Sequence, residues 1–156
     1  MFFTGRHPIS VEDNGRVSLA AALRAPLKSE AKLGDAEGEV LYVFPALDRS
    51  CLEAAGASYL AGRRKILTRM KPFDPRREAL ERLYFGESRA LSVDAKGRVT
   101  LPQELRELTG LGAEAVCVGM GDRFQIWSPE REAARRAAAL NVAQDLLDID
   151  PPEQEQ

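Results

Sequence analysis

Aromatic residues make up only 6% of this 156-residue chain, and histidine occurs once, as His7. A core with so few rings must be built mostly from leucine, valine and alanine. A single histidine excludes paired-histidine zinc sites and leaves any Ser-His-Asp arrangement dependent on one residue beside a proline. No metal or cofactor is therefore expected. Cysteine is nearly as scarce: Cys51 and Cys117 have no CxxC spacing and are too few for a disulfide scaffold, so they read as small buried hydrophobes in a reducing cytosol. No apolar run approaches the ~18 residues of a membrane-spanning helix, so no membrane partner is expected. The start, Met1–Pro8, lacks the charged and apolar regions of a secretion signal.

Net charge is also small, 22 basic against 24 acidic residues, but it is unevenly placed. From Asp145 onward there are five acidic residues and no basic one, which leaves 22 basic against 19 acidic residues in 1–144. Seventeen of the 22 basic residues are arginine, the better fork for phosphate and guanine. The overall charge thus does not exclude a nucleic-acid partner. With 44% hydrophobic and 29% charged residues, the chain can pack one compact domain or two small ones.

What the sequence does have is a repeat. Residues Ile9–Arg24 align without gaps to Leu91–Arg106, offset by 82, and eight of the 16 pairs are identical, among them Gly15/Gly97, Arg16/Arg98 and Arg24/Arg106. A weaker block follows each copy, Val40–Arg49 against Glu114–Arg123, with eight extra residues in the first copy within Lys28–Glu39. Neither copy is long enough to bury a core alone, so two half-units packed as a pseudo-dimer are expected.

Each copy predicts a short strand, a glycine-bearing turn, a second strand, a helical turn or two, and then two further strands: Val40–Phe44 with Cys51–Glu53, and Ala115–Gly119 with Arg123–Trp127. Helices are expected over Ser58–Met70, Pro75–Phe85 and from Ser128 to about Leu147. Asp13-Asn14-Gly15 and Ala95-Lys96-Gly97 read as three-residue loops with glycine at the left-handed position. That register sets Glu12 across from Arg16 and Asp94 across from Arg98 in a hairpin ribbon, holding each guanidinium in one orientation. A two-stranded ribbon fits the major groove, where arginine reads guanine, and Asn14 and Lys96 at the tips could meet phosphate. Two such tips at fixed separation would make multivalent contact with a repeating polymer.

The other features are less specific. Arg24 and Arg106 could touch phosphate or pair across the pseudo-dimer. Gly62–Arg82 holds eight basic and three acidic residues, either a phosphate-contacting patch or a solvated face partly paired to acidic patches of a neighbouring subunit. Gly119-Met120-Gly121 lies between strands and reads as a hairpin turn rather than a dinucleotide fingerprint. The apolar stripe of the last helix is assigned to core or subunit interface.

The segment Asp94-Ala-Lys-Gly-Arg-Val-Thr-Leu-Pro-Gln-Glu-Leu-Arg106 resembles the DxxxR signature of the MraZ family, whose chains look like two fused AbrB-type (SpoVT-AbrB) units. The likeness extends to the Met-Phe start, both copies, Leu83–Ser88 and Phe124–Trp127. It implies an α+β fold of tandem AbrB-like swapped-hairpin β units forming a pseudo-dimeric β barrel with helices outside. The corresponding divisions are 1–55 and 86–129 for the two units, 56–85 for a helical connector, 130–149 for the last helix and 150–156 for a disordered acidic tail. It further implies a cytoplasmic, nucleoid-associated repressor of the division and cell-wall gene cluster. Such a protein binds short G-rich direct repeats in double-stranded promoter DNA as a ring-like homo-oligomer and is not an enzyme. The DNA-binding residues so implied are Glu12, Asn14, Gly15, Arg16, Asp94, Lys96, Gly97 and Arg98. Glu12 departs from the pattern's aspartate, and weakened hairpin rigidity is expected in the first copy. The alternative is an AbrB-like antitoxin that binds DNA and grips a toxin through its tail; an enzyme is the more distant rival, since no converging titratable groups appear beyond salt-bridge pairs.

Overall fold

A computed structural model describes residues 1–33 and 38–149. The tail predicted at 150–156 lies outside the described residues. The fold is α+β, a mostly antiparallel set of strands with helices against them. In chain order the elements are β1 (Arg6–Ser10), β2 (Arg16–Ser18), α1 (Ala21–Leu33), β3 (Glu39–Pro45), β4 (Leu52–Ala55), α2 (Ala57–Thr68) and α3 (Pro75–Glu81). After a π-helical turn at Arg82–Gly86 come β5 (Arg89–Val93), β6 (Arg98–Thr100), α4 (Gln103–Leu108), β7 (Glu114–Gly119), β8 (Phe124–Trp127) and α5 (Pro129–Ile149).

Most strands and the later helices fall where alternation and the proline punctuation put them; β1 runs from Arg6 to Ser10 rather than over the alternating Ile9–Glu12, and the helix expected over Pro75–Phe85 ends at Glu81 and passes into the π-helical turn. Asp74 caps α3 by accepting the Arg76 amide, with Pro75 at the first helical position. α1 is longer than the expected turn or two, because the first copy's extra residues continue the helix through Lys28–Leu33.

Pairing between strands is where the structure departs from a simple hairpin. Six strands form one sheet in the order β1-β7-β8-β4-β3-β5, and β2 pairs with β6 in a separate ribbon. β1 of the first copy thus lies along β7 of the second, and β5 of the second along β3 of the first. The expected closed barrel is not found among the described residues: the six-stranded sheet is open, with β1 and β5 at its edges. Each edge strand leaves the sheet through its three-residue loop and continues as β2 or β6, whose polar backbone groups are satisfied by the other's rather than by the sheet.

That ribbon lies over one face of the sheet. Val17 and Val99 point inward, 1% and 2% exposed, and join Leu41, Val43, Leu52, Phe124 and Ile126 from the sheet with Leu23 from α1, Leu105 from α4 and Leu101 just after β6. Full burial of each such side chain is worth roughly 1.5–3 kcal/mol, so this shared core joins the two copies into one folding unit. Cys117 belongs to the same core, and Cys51 is buried as well. Burial pushes both thiols up to about 12, consistent with small hydrophobes. On the opposite face of the sheet Phe44 packs edge-on against Tyr84, ring centroids 5.7 Å apart, and against Tyr59 of α2. No described helix is long and apolar enough to cross a membrane.

Candidate nucleic-acid interface

Alternation along a strand determines which side chains leave the core. In β2 the order Arg16-Val17-Ser18, and in β6 Arg98-Val99-Thr100, sends the valine inward and the flanking residues outward. The register sets Arg16 opposite Thr100 and Ser18 opposite Arg98. Four residues therefore share one outer face, the two arginines on its diagonal. Diagonal neighbours lie about 7–8 Å apart at the backbone, close to two base-pair steps at ~3.4 Å each.

The expected pair of separate hairpin tips is corrected by this arrangement. β1 and β2 are not a ladder: Glu12 donates its amide to the Arg16 carbonyl at 3.0 Å, and beyond that bond the strands part, β1 to the sheet and β2 to the ribbon. The second copy does the same through Asp94 and Arg98, at 2.9 Å. The two loops instead occupy opposite ends of one ribbon, to which each copy contributes a strand. The loops themselves are three-residue turns as predicted, closed by Gly15 N–H to the Glu12 carbonyl at 2.7 Å and Gly97 N–H to the Asp94 carbonyl at 3.0 Å. Gly15 and Gly97 take φ of 91° and 78°, a region that L side chains rarely adopt.

Each guanidinium is clamped by the carboxylate four residues before it. Arg98 Nε donates to Asp94 Oδ2 at 2.8 Å, and neither terminal nitrogen of Arg98 has a partner among the described residues. Arg16 Nε donates to Glu12 Oε2 at 2.7 Å and Nη2 to Oε1 at 3.2 Å, leaving Nη1 outward. The arginine side chains are 38% and 33% exposed, for positions 16 and 98. The clamped geometry leaves the outer edge of each fork available to an acceptor in solution.

The two loops differ in how they are braced. Asp94 is short enough that Oδ1 accepts the amides of Lys96 and Arg98, at 2.9 and 2.8 Å. The Arg98 amide first, then the Arg98 side chain and the Lys96 amide, hold its carboxyl below the usual carboxylate range. Glu12 reaches only the guanidinium, whose hydrogen bonds lower its pKa in turn. The missing backbone acceptor in the first loop is supplied by Asn14, whose Oδ1 takes the Arg16 amide at 3.0 Å. Asn14 is thus engaged in the turn, and the departure at Glu12 is compensated locally rather than leaving the loop without a brace. Both carboxylates are lowered, so the clamps are complete above the ordinary carboxylate range and are lost only as pH falls through the lowered folded values. Lys96 is exposed at its tip with no side-chain partner among the described residues.

Arg24 and Arg106, for which two roles stood open, cross between the copies. Arg24 Nη2 donates to the carbonyls of Asp94 and Ala95 at 3.3 and 3.0 Å, and the same fork grips Glu39 at 3.2 and 3.1 Å. Arg106 Nε donates to the Leu101 carbonyl at 3.0 Å and lies against Gly15. Arg24 thus supports the other copy's loop by hydrogen bonds, whereas Arg106 bonds within its own copy and packs against the other copy's loop at Gly15. Arg24→Ala should lower stability by about 2 kcal/mol, since charged hydrogen bonds contribute ~1.5–3 kcal/mol and Glu39 would be left half-buried and unpaired. Urea denaturation checks this; an unchanged midpoint would remove the brace.

Ser18 and Thr100 are the outward residues that the motif did not single out, although the period-two pattern around Val17 and Val99 places them there. The face is not strongly cationic: Arg16, Arg98 and Lys96 are matched by Glu12, Asp13 and Asp94. It suits oriented contacts better than long-range attraction. His7, on β1, is half-buried with Nε2 2.9 Å from the Thr4 carbonyl, and among the described residues no three acidic, cysteine or histidine groups converge as a metal site.

Comparison with known proteins matches residues 84–133 to the family described as "MraZ protein, putative antitoxin-like". Among curated relatives, the "Transcriptional regulator MraZ" of Parvibaculum lavamentivorans is 39% identical over 133 residues, 85% of this chain and 79% of the relative. The protein of that name from Rickettsia canadensis is 34% identical over 141 residues, 90% of this chain and 91% of the relative. That from Beijerinckia indica is 33% identical over 144 residues, covering 92% and 82%.

Proposed function

The chain belongs to the MraZ family, and from that membership we propose that it regulates transcription by binding double-stranded promoter DNA through the outer face of the β2–β6 ribbon. Its relatives are named as regulators of transcription, and it is not an enzyme. In this reading Arg98 and Arg16 enter the major groove as guanine readers through O6 and N7. Asp94 and Glu12 orient them. Gly15 and Gly97 let the loops turn, Asn14 braces the first of these, and Lys96 meets phosphate at the tip of the second. The exchanged pairing of β1 with β7 and β5 with β3 is taken as the swapped-hairpin form of two AbrB-like units, 1–55 and 86–129, joined by the connector 56–85 and followed by the helix 130–149.

The observation that carries this reading is a shared face. Two clamped forks, one from each copy, stand on one narrow ribbon at a spacing of about two base-pair steps, with a free fork edge on each. One protomer offers few contacts, so occupancy comes from several protomers of a ring-like homo-oligomer reaching successive short G-rich direct repeats. The regulator then represses the division and cell-wall gene cluster by blocking polymerase, as a cytoplasmic protein on the nucleoid.

A gel shift with the DNA upstream of its own gene, over a salt series, tests this. Binding should exceed that of scrambled DNA at matched salt, and affinity should rise with repeat number. Equal affinity for both duplexes would refute the reading. The family's description also names an antitoxin likeness, so a second reading is a DNA-binding antitoxin with a small basic toxin partner; co-purification of such a protein would favour it.

A further inference from the structure

The longest helix of the fold stands mostly by itself. α5 is tied down only at its start: Glu132 pairs bidentately with Arg6, and Arg131 Nη1 donates to the Thr109 carbonyl at 2.9 Å. Arg135 bonds Asp48 at 2.9 Å and lies over the Trp127 ring. From Arg136 through Asp148 every residue is exposed, and among the described residues the only side-chain hydrogen bond there is Gln144 to Asp148, within the helix.

This outer half nevertheless has a core-like pattern. At about 100° per residue, Leu140, Val142, Ala143, Leu146 and Leu147 fall within one arc of about 160°, and Asn141, Gln144, Asp145 and Asp148 fall on the other side. An arc that wide belongs to a helix that covers something, yet Leu140 and Leu146 are 61% and 63% exposed. The end is also charged against its dipole: Asp145 and Asp148 occupy the C-terminal turns, where cations are favoured, and the last turn has no basic residue. A cationic, partly apolar partner would remedy both defects.

The elbow between α2 and α3 has that chemistry. Arg69, Met70, Lys71, Phe73, Asp74 and Arg76 line a cavity of about 740 Å³ there. Phe73 is 97% exposed at the tip of a turn fixed by Asp74 N–H to the Lys71 carbonyl at 3.0 Å and Arg77 Nη1 to the Met70 carbonyl at 3.1 Å. Asp74 is already paired with Arg76, while Arg69 and Lys71 have no carboxylate partner among the described residues. Five of the eight cations in Gly62–Arg82 are matched within the chain, by Asp74, Glu78, Glu81 and Asp122. The elements flanking the elbow pack on the sheet face opposite the ribbon, through Tyr59 and Tyr84 against Phe44, away from a duplex lying on Arg16 and Arg98.

We propose that the outer half of α5 docks on the α2–α3 elbow of a second copy, Phe73 seated against the Leu140–Leu147 arc and Arg69 and Lys71 facing Asp145 and Asp148. The contact is head-to-tail, so each protomer has both halves of it and the assembly closes when the rotation permits. It deepens, and rests on, the assembly part of the function proposed above.

The test uses the full chain and mass measurement by sedimentation equilibrium. Wild type should be a multiple of the 17.2 kDa protomer. Arg69→Glu with Lys71→Glu, Asp145→Lys with Asp148→Lys, and Phe73→Ser should each weaken self-association at least tenfold. Mixing the two charge-reversed proteins should restore assembly. Binding of a duplex bearing one repeat should match wild type in every case. A monomeric wild type, unchanged masses for the variants, or no recovery on mixing overturns the proposal. So does loss of single-repeat binding by the elbow variant at unchanged mass, which would make the elbow a nucleic-acid contact. Absence of promoter binding by wild type would refute the DNA reading and leave the mass results standing.

Discussion

Arg98→Ala should weaken binding of a single promoter repeat roughly tenfold to a hundredfold, the range expected for loss of one bidentate guanine contact. The effect on a full operator should be larger, because every protomer loses the same contact and the losses multiply through avidity. The expectation follows from which nitrogens are spent. Asp94 takes the Nε edge of Arg98 and leaves the Nη pair unengaged, whereas Glu12 takes both Nε and Nη2 of Arg16. Arg16→Ala should therefore cost less than Arg98→Ala. Arg98→Lys should not rescue, since an ammonium keeps the charge and loses the fork. The side chain bonds only within its own loop, so mass and melting temperature should hardly change. Equal affinities for wild type and Arg98→Ala in a salt-matched gel shift would take the ribbon out of the mechanism.

The parts of this site that were legible in the sequence are those set by local chemistry. Three-residue turns followed from glycine at both third positions, since a two-residue turn would have put Lys96 at positive φ. The carboxylate–arginine clamps followed from that register. The partner of each strand did not, because pairing among strands of similar pattern is decided by which arrangement buries both copies' cores together. Val17 and Val99 look alike whether their strands fold back as hairpins or meet each other across the repeat. The second arrangement places both valines over the shared core and brings the arginines onto one face. The open sheet in place of a closed barrel belongs to the same class of long-range fact.

Arg24 and Arg106 were visible as a repeated pair, but Arg24 bonds backbone carbonyls of the other copy's loop while Arg106 bonds Leu101 of its own copy and lies against Gly15 of the other, which spacing cannot reveal. The bracing role of Asn14 was equally hidden. It depends on Glu12 being one methylene too long to reach the backbone amides that Asp94 serves. The outer half of α5 is the opposite case: its apolar stripe was assigned to core or subunit interface, and its exposure excludes the core of its own protomer.

Gly15→Ala should be among the most destabilising single changes in the chain, at about 3–5 kcal/mol, while its repeat mate Gly97→Ala should cost about 1–2 kcal/mol. Both positions carry positive φ, a penalty of roughly 1–2 kcal/mol for any residue with a Cβ. What differs is the obstacle. A Cβ at Gly15 would stand 2.3 Å from the Leu101 carbonyl oxygen, a backbone atom, and 2.7 Å from Arg106 Nε. That carbonyl holds Arg106, and the Leu101 amide bonds back to the Gly15 carbonyl at 2.9 Å, so relief of the clash pulls apart the end of the ribbon. At Gly97 the nearest atom is Arg24 Cδ at 3.0 Å, on a side chain that can shift aside. In a domain of this size ~1 kcal/mol corresponds to about 2–4 °C, so the two variants should melt several degrees apart. Calorimetry on both decides the point: equal losses would mean that backbone strain alone sets the cost, and that the crowding of Leu101 against the first loop contributes nothing to holding Arg16 in place.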